Sequence, residues 1–339
     1  MSLLEQRYRS VLRLLPAFYR AEREEEMVAA FMEMAGDVPD DVNARPGWGE
    51  IASVVALSVR LRLGAARDRP RPFAWGEAVR LAALLGLAYQ AVYGVLVAAD
   101  VLAALSIGAT PLVGAPESVE RLMALRDLGS ALCAVVAFTA IMRARPRLAK
   151  AVALLGTAPL LASQAIALVL PRPEGDGLWM EAGRMVITAA PVVALLLGFH
   201  RDVTPPRRSW WLTLAPPATG LMMLAWAEVW LALRLYESEW LALWLDLDGT
   251  AIAALVVGSA FAMARGPVPS RALGLSIAGL LLLLSRLSLL IDLYGSSTGE
   301  IATVVATQCV LLTVLAGALA AVGLRSLRSL PGAGAATLT

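Results

Sequence analysis

The chain is short of nearly every side chain on which polar catalysis depends. It holds one histidine, His200, one lysine, Lys150, and two cysteines, and only 17% of its residues are charged. Metal-dependent intramembrane hydrolases and histidine-dependent acyltransferases need more than a lone histidine. No HExxH, Walker A or paired CxxC motif is present. Cys133 and Cys309 both fall inside apolar runs, where a small buried hydrophobe is the expected role rather than a disulfide or a metal ligand. The sequence therefore assigns no catalytic, cofactor-binding or metal-binding residue. A non-enzymatic protein without a cofactor is expected, and an enzyme working with Ser, Asp or Arg alone stays open.

What is abundant is apolar: 58% of the residues, against roughly 45–50% in soluble domains. The apolar residues fall in blocks of about twenty, the length that spans a hydrocarbon core at 1.5 Å per residue. The expected fold is all-α: a polytopic membrane protein of about eight transmembrane helices over residues 77–324. It follows a small helical module and linker at residues 1–76 and precedes a tail at 325–339. The eight segments fall near 78–106, 128–142, 149–170, 184–199, 210–235, 249–264, 272–293 and 301–324. Residues 117–128 are expected to form a separate short helix lying on the membrane surface.

The first sixty residues hold no uninterrupted apolar run behind a basic start, so no cleaved signal peptide is expected and the N-terminus is expected in the cytoplasm. Counting inward-facing loops from there, residues 143–150, 200–209, 265–271 and the tail after Leu324 carry four, three, two and two basic residues, with Asp202 the only acid. The alternate loops carry mainly Asp and Glu. This is the positive-inside pattern of a plasma membrane protein with both termini in the cytoplasm.

Charged residues inside spans are expensive and are the first candidates for function. Asp100, Glu228, Arg234, Arg286 and Asp292 all fall in the outer half of outward-running spans. They read either as a polar cluster around a cavity or, for Asp100, Arg234 and Asp292, as interfacial ends. Thr157 with Pro159, Thr188 with Pro191 and Thr213 with Pro216 repeat a Thr-to-Pro spacing in three consecutive spans. A proline removes a backbone donor, so kinks there are one reading, and the general tolerance of membrane helices for proline is the other. Gly274 with Ala278, and Gly317 with Ala321, are expected to pack the last two spans.

The first 76 residues change charge by segment: net +3 over 1–20, −7 over 21–50 and +4 over 51–76. Leu4, Tyr8, Val11, Leu12 and Leu15 recur at helical spacing in a first helix. Phe18, Ala21, Val28, Phe31, Met32 and Ala35 share one side of a second, about 17–35. Ile51, Val54, Val55, Leu57 and Leu61 are the expected buried positions of a third, about 48–66. A three-helix bundle follows, with an acidic helix between two basic ones. Arg60, Arg62, Arg67, Arg69 and Arg71 can face an anionic inner leaflet, each contributing about 1 kcal/mol.

The run Arg7-Tyr8-Arg9, Leu12-Arg13, Leu14-Leu15-Pro16, Tyr19-Arg20 and Glu25-Glu26-Met27 resembles the permease-prefix and HAAS-type helical modules at the N-terminus of many actinobacterial multi-pass membrane proteins. The resemblance covers about the first 65 residues. It implies a cytoplasmic module beside membrane segments, in some cases those of transporter permeases, often paired with PadR-type regulators. Candidate docking residues on this reading are Arg7, Tyr8, Arg13, Tyr19, Arg20, Glu24, Glu25 and Glu26. The expected partners are the bilayer with its anionic inner leaflet, a cytoplasmic regulator or ATPase, and a second copy of the chain; no direct nucleic-acid partner is expected. Two functions stay open: a sensor or regulatory membrane protein, and a permease or exporter for a small or apolar substrate.

Overall fold

The computed structural model describes residues 2–36, 45–64, 70–106, 119–169, 178–200, 207–233, 239–293 and 299–330. All regular structure among these is helical. The chain divides into two compact units, with the boundary after Gly76.

The first unit contains α1 (Leu3–Leu12), α2 (Ala17–Ala35) and α3 (Trp48–Arg62). Ser2 caps α1 by accepting a hydrogen bond from the Glu5 amide, as a serine at that position does for an otherwise unpaired first-turn donor. Pro16 stands just before α2, where its missing amide hydrogen costs nothing. Gly36 closes α2 with φ of 67°, a left-handed conformation suited to glycine. Leu4, Tyr8, Leu12 and Leu15 form one buried stripe and meet Val28, Phe31 and Val54. The Tyr8 and Phe31 rings stack with centroids 3.9 Å apart. The end of α1 is tied to α3 by Ser58 Oγ, which donates to the Leu14 carbonyl at 2.6 Å, and by Arg62, which donates to the same oxygen at 3.1 Å. Two expected core positions differ: Ala21 and Val55 are exposed, and Tyr19 and Met27 pack against the core instead.

The alternation of charge has a local purpose in this unit. Arg9 of α1 pairs with Glu5 at 3.0 Å, Glu25 at 2.7 Å and Glu24 at 3.8 Å, so the acidic start of α2 lies against a basic position of α1. Hydrogen bonding to Arg9 holds the Glu25 carboxyl below its ordinary value.

The second unit carries α4 (Pro70–Ser106, from Glu77 onward), α5 (Val119–Met142), α6 (Pro146–Val169), α7 (Leu178–Gly198), a 3-10 turn at Trp210–Thr213, α8 (Ala215–Ala232), α9 (Glu239–Leu245), α10 (Leu247–Ala264), α11 (Pro269–Leu293) and α12 (Gly299–Arg328). Seven of these, α4 to α7 and α10 to α12, are long and apolar enough to cross a membrane. The protein is an all-α, multi-pass membrane protein. α8 lies where the fifth span is expected but is not among the seven.

α5, α6 and α7 pack in sequence, α7 turns against α11, and α11 runs along α12. α4 contributes Ala83, Leu84, Leu87 and Ala91 to a core shared with α5, α6 and α7. Its glycines set the spacing: a β-carbon at Gly86 would lie 2.5 Å from the Pro191 ring of α7, and one at Gly94 2.7 Å from the Ala131 carbonyl of α5. The last turn of α7 is closed by cations, which suit the negative end of a helix: Arg80 donates to the Gly198 carbonyl at 3.3 Å and Lys150 to that of Leu196 at 3.1 Å.

Several sequence expectations are corrected. Residues 119–128 continue through Gly129 into α5 as one helix rather than forming a separate surface helix; a single glycine costs a helix only about 1 kcal/mol and does not end it. Pro159 and Pro191 lie inside α6 and α7, but Pro216 and Pro217 occupy the first turn of α8, where amides need no partner within the helix. Gly274 does pack, against Leu81, whereas Gly317 faces open space; Gly279 against Ala316 and Gly323 against Leu273 make the close contacts of α11 with α12. α12 also runs four residues past Leu324 before ending at Arg328.

Leu12 is fully buried, so Leu12→Ala is expected to weaken the first unit by about 2–5 kcal/mol, while the exposed Arg13→Ala changes it by less than about 0.5 kcal/mol. Hydrogen exchange of α1 to α3 amides in the full-length protein measures both. The Arg9–Glu25 contribution is present above the ordinary glutamate range and is lost as pH falls through the lowered Glu25 value. Glu25→Gln is expected to flatten the acid side of that profile.

Candidate functional site

α9 and α10 meet at a sharp junction, and the junction is built by aspartates. Asp246 caps α10, accepting from the Gly249 amide at 2.6 Å. Asp248, in the first turn, accepts from Tyr89 Oη of α4 at 2.5 Å and from Ser285 Oγ of α11 at 2.8 Å. Arg286 of α11 reaches into this junction and is 1% exposed. Its Nη2 donates to Asp246 Oδ1 and, at 3.4 Å, to the Leu243 carbonyl; its Nε lies 3.6 Å from Asp248 Oδ2. Gln308 of α12, also fully buried, donates to the Leu243 carbonyl at 2.9 Å. The last carbonyls of the short α9 have no partner within their helix, and Arg286 and Gln308 supply one.

Beside this junction the bundle holds a partly open cavity of about 720 Å³, lined by α4, α5, α6, α7, the α9–α10 junction and α11. One wall is small and apolar: Ala131, Ala134, Ala137, Ala153 and Gly156 of α5 and α6. Another is neutral and polar, and it centres on Thr188, three residues before Pro191. Gln90 of α4 donates to the Thr188 carbonyl at 3.0 Å, and Gln164 of α6 donates to its hydroxyl at 3.5 Å. Two further ion pairs stand on the lining, Arg126 with Asp127 at 2.7 Å and Arg184 with Glu181 at 3.3 Å. The space is in the range of sites that enclose drug-sized ligands, roughly 300–1,000 Å³.

Of the five intramembrane charges marked in the sequence, the four that the structure describes do not form one cluster. Among the described residues, Arg286 is the only one of them on the cavity lining. Asp292 accepts a hydrogen bond from the Met180 amide at 3.2 Å, which caps the start of α7. Asp100 and Glu228 are exposed on α4 and α8. Arg234 lies outside the described residues. The reason Asp292 and Arg286 stay apart is helical: six positions turn them roughly 120° apart around α11 and set them about 9 Å apart along it. The partners Arg286 does have, Asp246 and Asp248, were assigned to a loop. The available signal was an aspartate immediately before an apolar run, the pattern of a helix cap.

In the first unit the docking set is split by burial. Tyr8 is core, and burial with nearby Glu50 raises its phenol; Tyr19 packs against the same core. Glu24 and Glu25 are engaged with Arg9, and Glu26 with Arg23 at 3.0 Å. Arg13 is exposed, while Arg7 and Arg20 are half-buried.

Residues 295–299, Gly-Ser-Ser-Thr-Gly, have the spacing of a nucleophile elbow, which requires a strand before the serine. Here α11 precedes the run and α12 begins at Gly299, and Ser297 lies outside the described residues. Among the described residues no group of three or more His, Cys, Asp and Glu side chains is placed to hold a metal ion. Comparison of the chain with protein-family models, with curated proteins and with solved structures returns no match.

Removing one partner from a buried ion pair leaves the other charge uncompensated, at about 3–5 kcal/mol. Arg286→Met is therefore expected to lower the stability of the second unit by that amount, read by denaturant unfolding in detergent or lipid. Asp100→Asn and Glu228→Gln, being exposed, are expected to stay within about 0.5 kcal/mol.

Proposed function

We propose that this chain is a non-enzymatic, ligand-binding membrane protein of the sensor or regulatory kind. The membrane helices hold the ligand in the cavity beside Arg286, and the helical unit at residues 1–76 engages a cytoplasmic protein, a regulator or an ATPase. The observation that carries the reading is the cavity itself: about 720 Å³ inside a bundle of membrane-length helices, with one apolar wall and one hydrogen-bonding wall. Its lining offers hydroxyls, amides and charges engaged with one another, and no histidine or cysteine among the described residues. Such a lining suits recognition more than bond making. The exposed Arg13 and the acidic start of α2, together with the resemblance of the first 65 residues to permease-prefix modules, support a docking role for the first unit.

The reading places the protein in the plasma membrane with both termini in the cytoplasm, as the basic loops indicate. That arrangement requires α8 to cross as an eighth span. A second reading, a permease or exporter, draws on Pro159 and Pro191, since both proline-interrupted helices line the same cavity.

Recovery of bound proteins from native membranes, with the full chain and with residues 1–66 removed, tests the first reading. A specific cytoplasmic partner is expected with the full chain and lost on truncation; an unchanged set of bound proteins sinks it. Cysteines placed at Ser10 and Ser329 are expected to label from the same side of intact cells, whereas opposite sides would mean that α8 does not cross. Flux of a candidate substrate that changes with Ala134→Phe, a cavity-filling substitution, would favour the permease.

A further inference from the structure

The charges on the cavity are unequal once their pairs are drawn. Arg126 is matched by Asp127 and Arg184 by Glu181. Arg286 alone stands against two carboxylates, Asp246 and Asp248. The asymmetry is also spatial: the Arg286 side chain is 2% exposed, while those of Asp246 and Asp248 retain 38% and 15%. All three groups line the cavity, but the two carboxylates keep more open surface than the guanidinium between them. With two carboxylates to one guanidinium the junction carries one negative charge in excess, and such a charge attracts a cation more strongly beside protein than in bulk water.

Two buried polar atoms on the lining are unmatched as well. Arg286 Nε has no hydrogen-bond acceptor, its distance to Asp248 being too long for one, and Gln164 Oε1 has no donor. Buried groups of this kind are normally satisfied by a partner. They call for a ligand that both donates and accepts. The alanine and glycine wall supplies room for an apolar body, and the Tyr93 ring lines the same space, where an aromatic face attracts a cation.

We infer that the cavity binds an organic monocation, an amine protonated at neutral pH. Its ammonium sits against Asp248 and Asp246, it carries a neutral oxygen acceptor, and its apolar body lies along Ala131, Ala134 and Gly156. This rests on the reading of the cavity as a ligand site and adds the chemical class of the ligand.

The test uses the full chain in phosphatidylcholine nanodiscs and three fluorescent probes with the same dansyl sulfonamide body: dansylcadaverine, its N-acetylated neutral form, and a dansyl amino acid of similar length ending in a carboxylate. Empty nanodiscs correct for partition into lipid. Dansylcadaverine is expected to bind saturably and about tenfold or more tighter than either analogue. Asp248→Asn is expected to remove that preference, Asp248→Glu to keep it, and Ala134→Phe to weaken binding. Equal binding of the neutral or anionic probe, still lost with Ala134→Phe, overturns the cation and leaves the ligand site standing. Saturable binding of none of the three overturns both. If Asp248→Asn does not fold, judged by its unfolding transition, the ranking of the three probes on the unaltered protein decides.

Discussion

A guanidinium removed from water inside a bundle of membrane helices has to be held by groups brought from elsewhere in the chain. Arg286 of α11 is held by Asp246, Asp248 and the Leu243 carbonyl, all from the α9–α10 junction. That requirement fixes much of the second unit. It places the start of α10 against α11, draws Tyr89 of α4 onto Asp248, and aligns Gln308 of α12 with the same carbonyl. The cavity exists beside this knot because the polar groups around it are tied to each other and cannot collapse into the space.

The first unit solves a different problem with the same means. A core of seven buried side chains is small, and the surrounding charges are arranged to avoid opposing it. The sign reversals along residues 1–76 become sensible when Arg9 is seen between Glu5, Glu24 and Glu25. Exposed pairs of this kind contribute little individually, but they select the register in which an acidic α2 lies against a basic α1.

Helix existence was legible in the sequence because periodicity and apolar length are local properties. The stripe Leu4, Tyr8, Leu12 and Leu15 is buried as its spacing requires, and α2 spans the residues read for it. Faces with weaker signals shifted, as Ala21 and Val55 did. The site was half legible. Arg286 is conspicuous in an apolar helix, but its partners depend on how α9, α10 and α11 pack, and that is decided by contacts far apart in the chain. Asp246 and Asp248 looked like solvated loop acids because the seven-residue helix before them, Glu239–Leu245, left no clear pattern. Position along a span proved a poor guide to proximity: Asp100, Glu228 and Asp292 fall in the same outer half as Arg286 in that reading, and none of them is among its hydrogen-bond or ion-pair partners.

Pro159 and Pro191 each interrupt a helix that walls the cavity, while α11 and α12 on the far side lie in continuous close contact through Gly279 and Gly323. A helix missing one internal hydrogen bond bends at lower cost than an intact one. The cavity therefore has one stiff wall and two compliant ones. A guest larger than the resting space would be accommodated by hinging of α6 and α7, with the Thr188 contacts to Gln90 and Gln164 as the first to stretch, and the charged junction would keep its geometry while the volume around it changed.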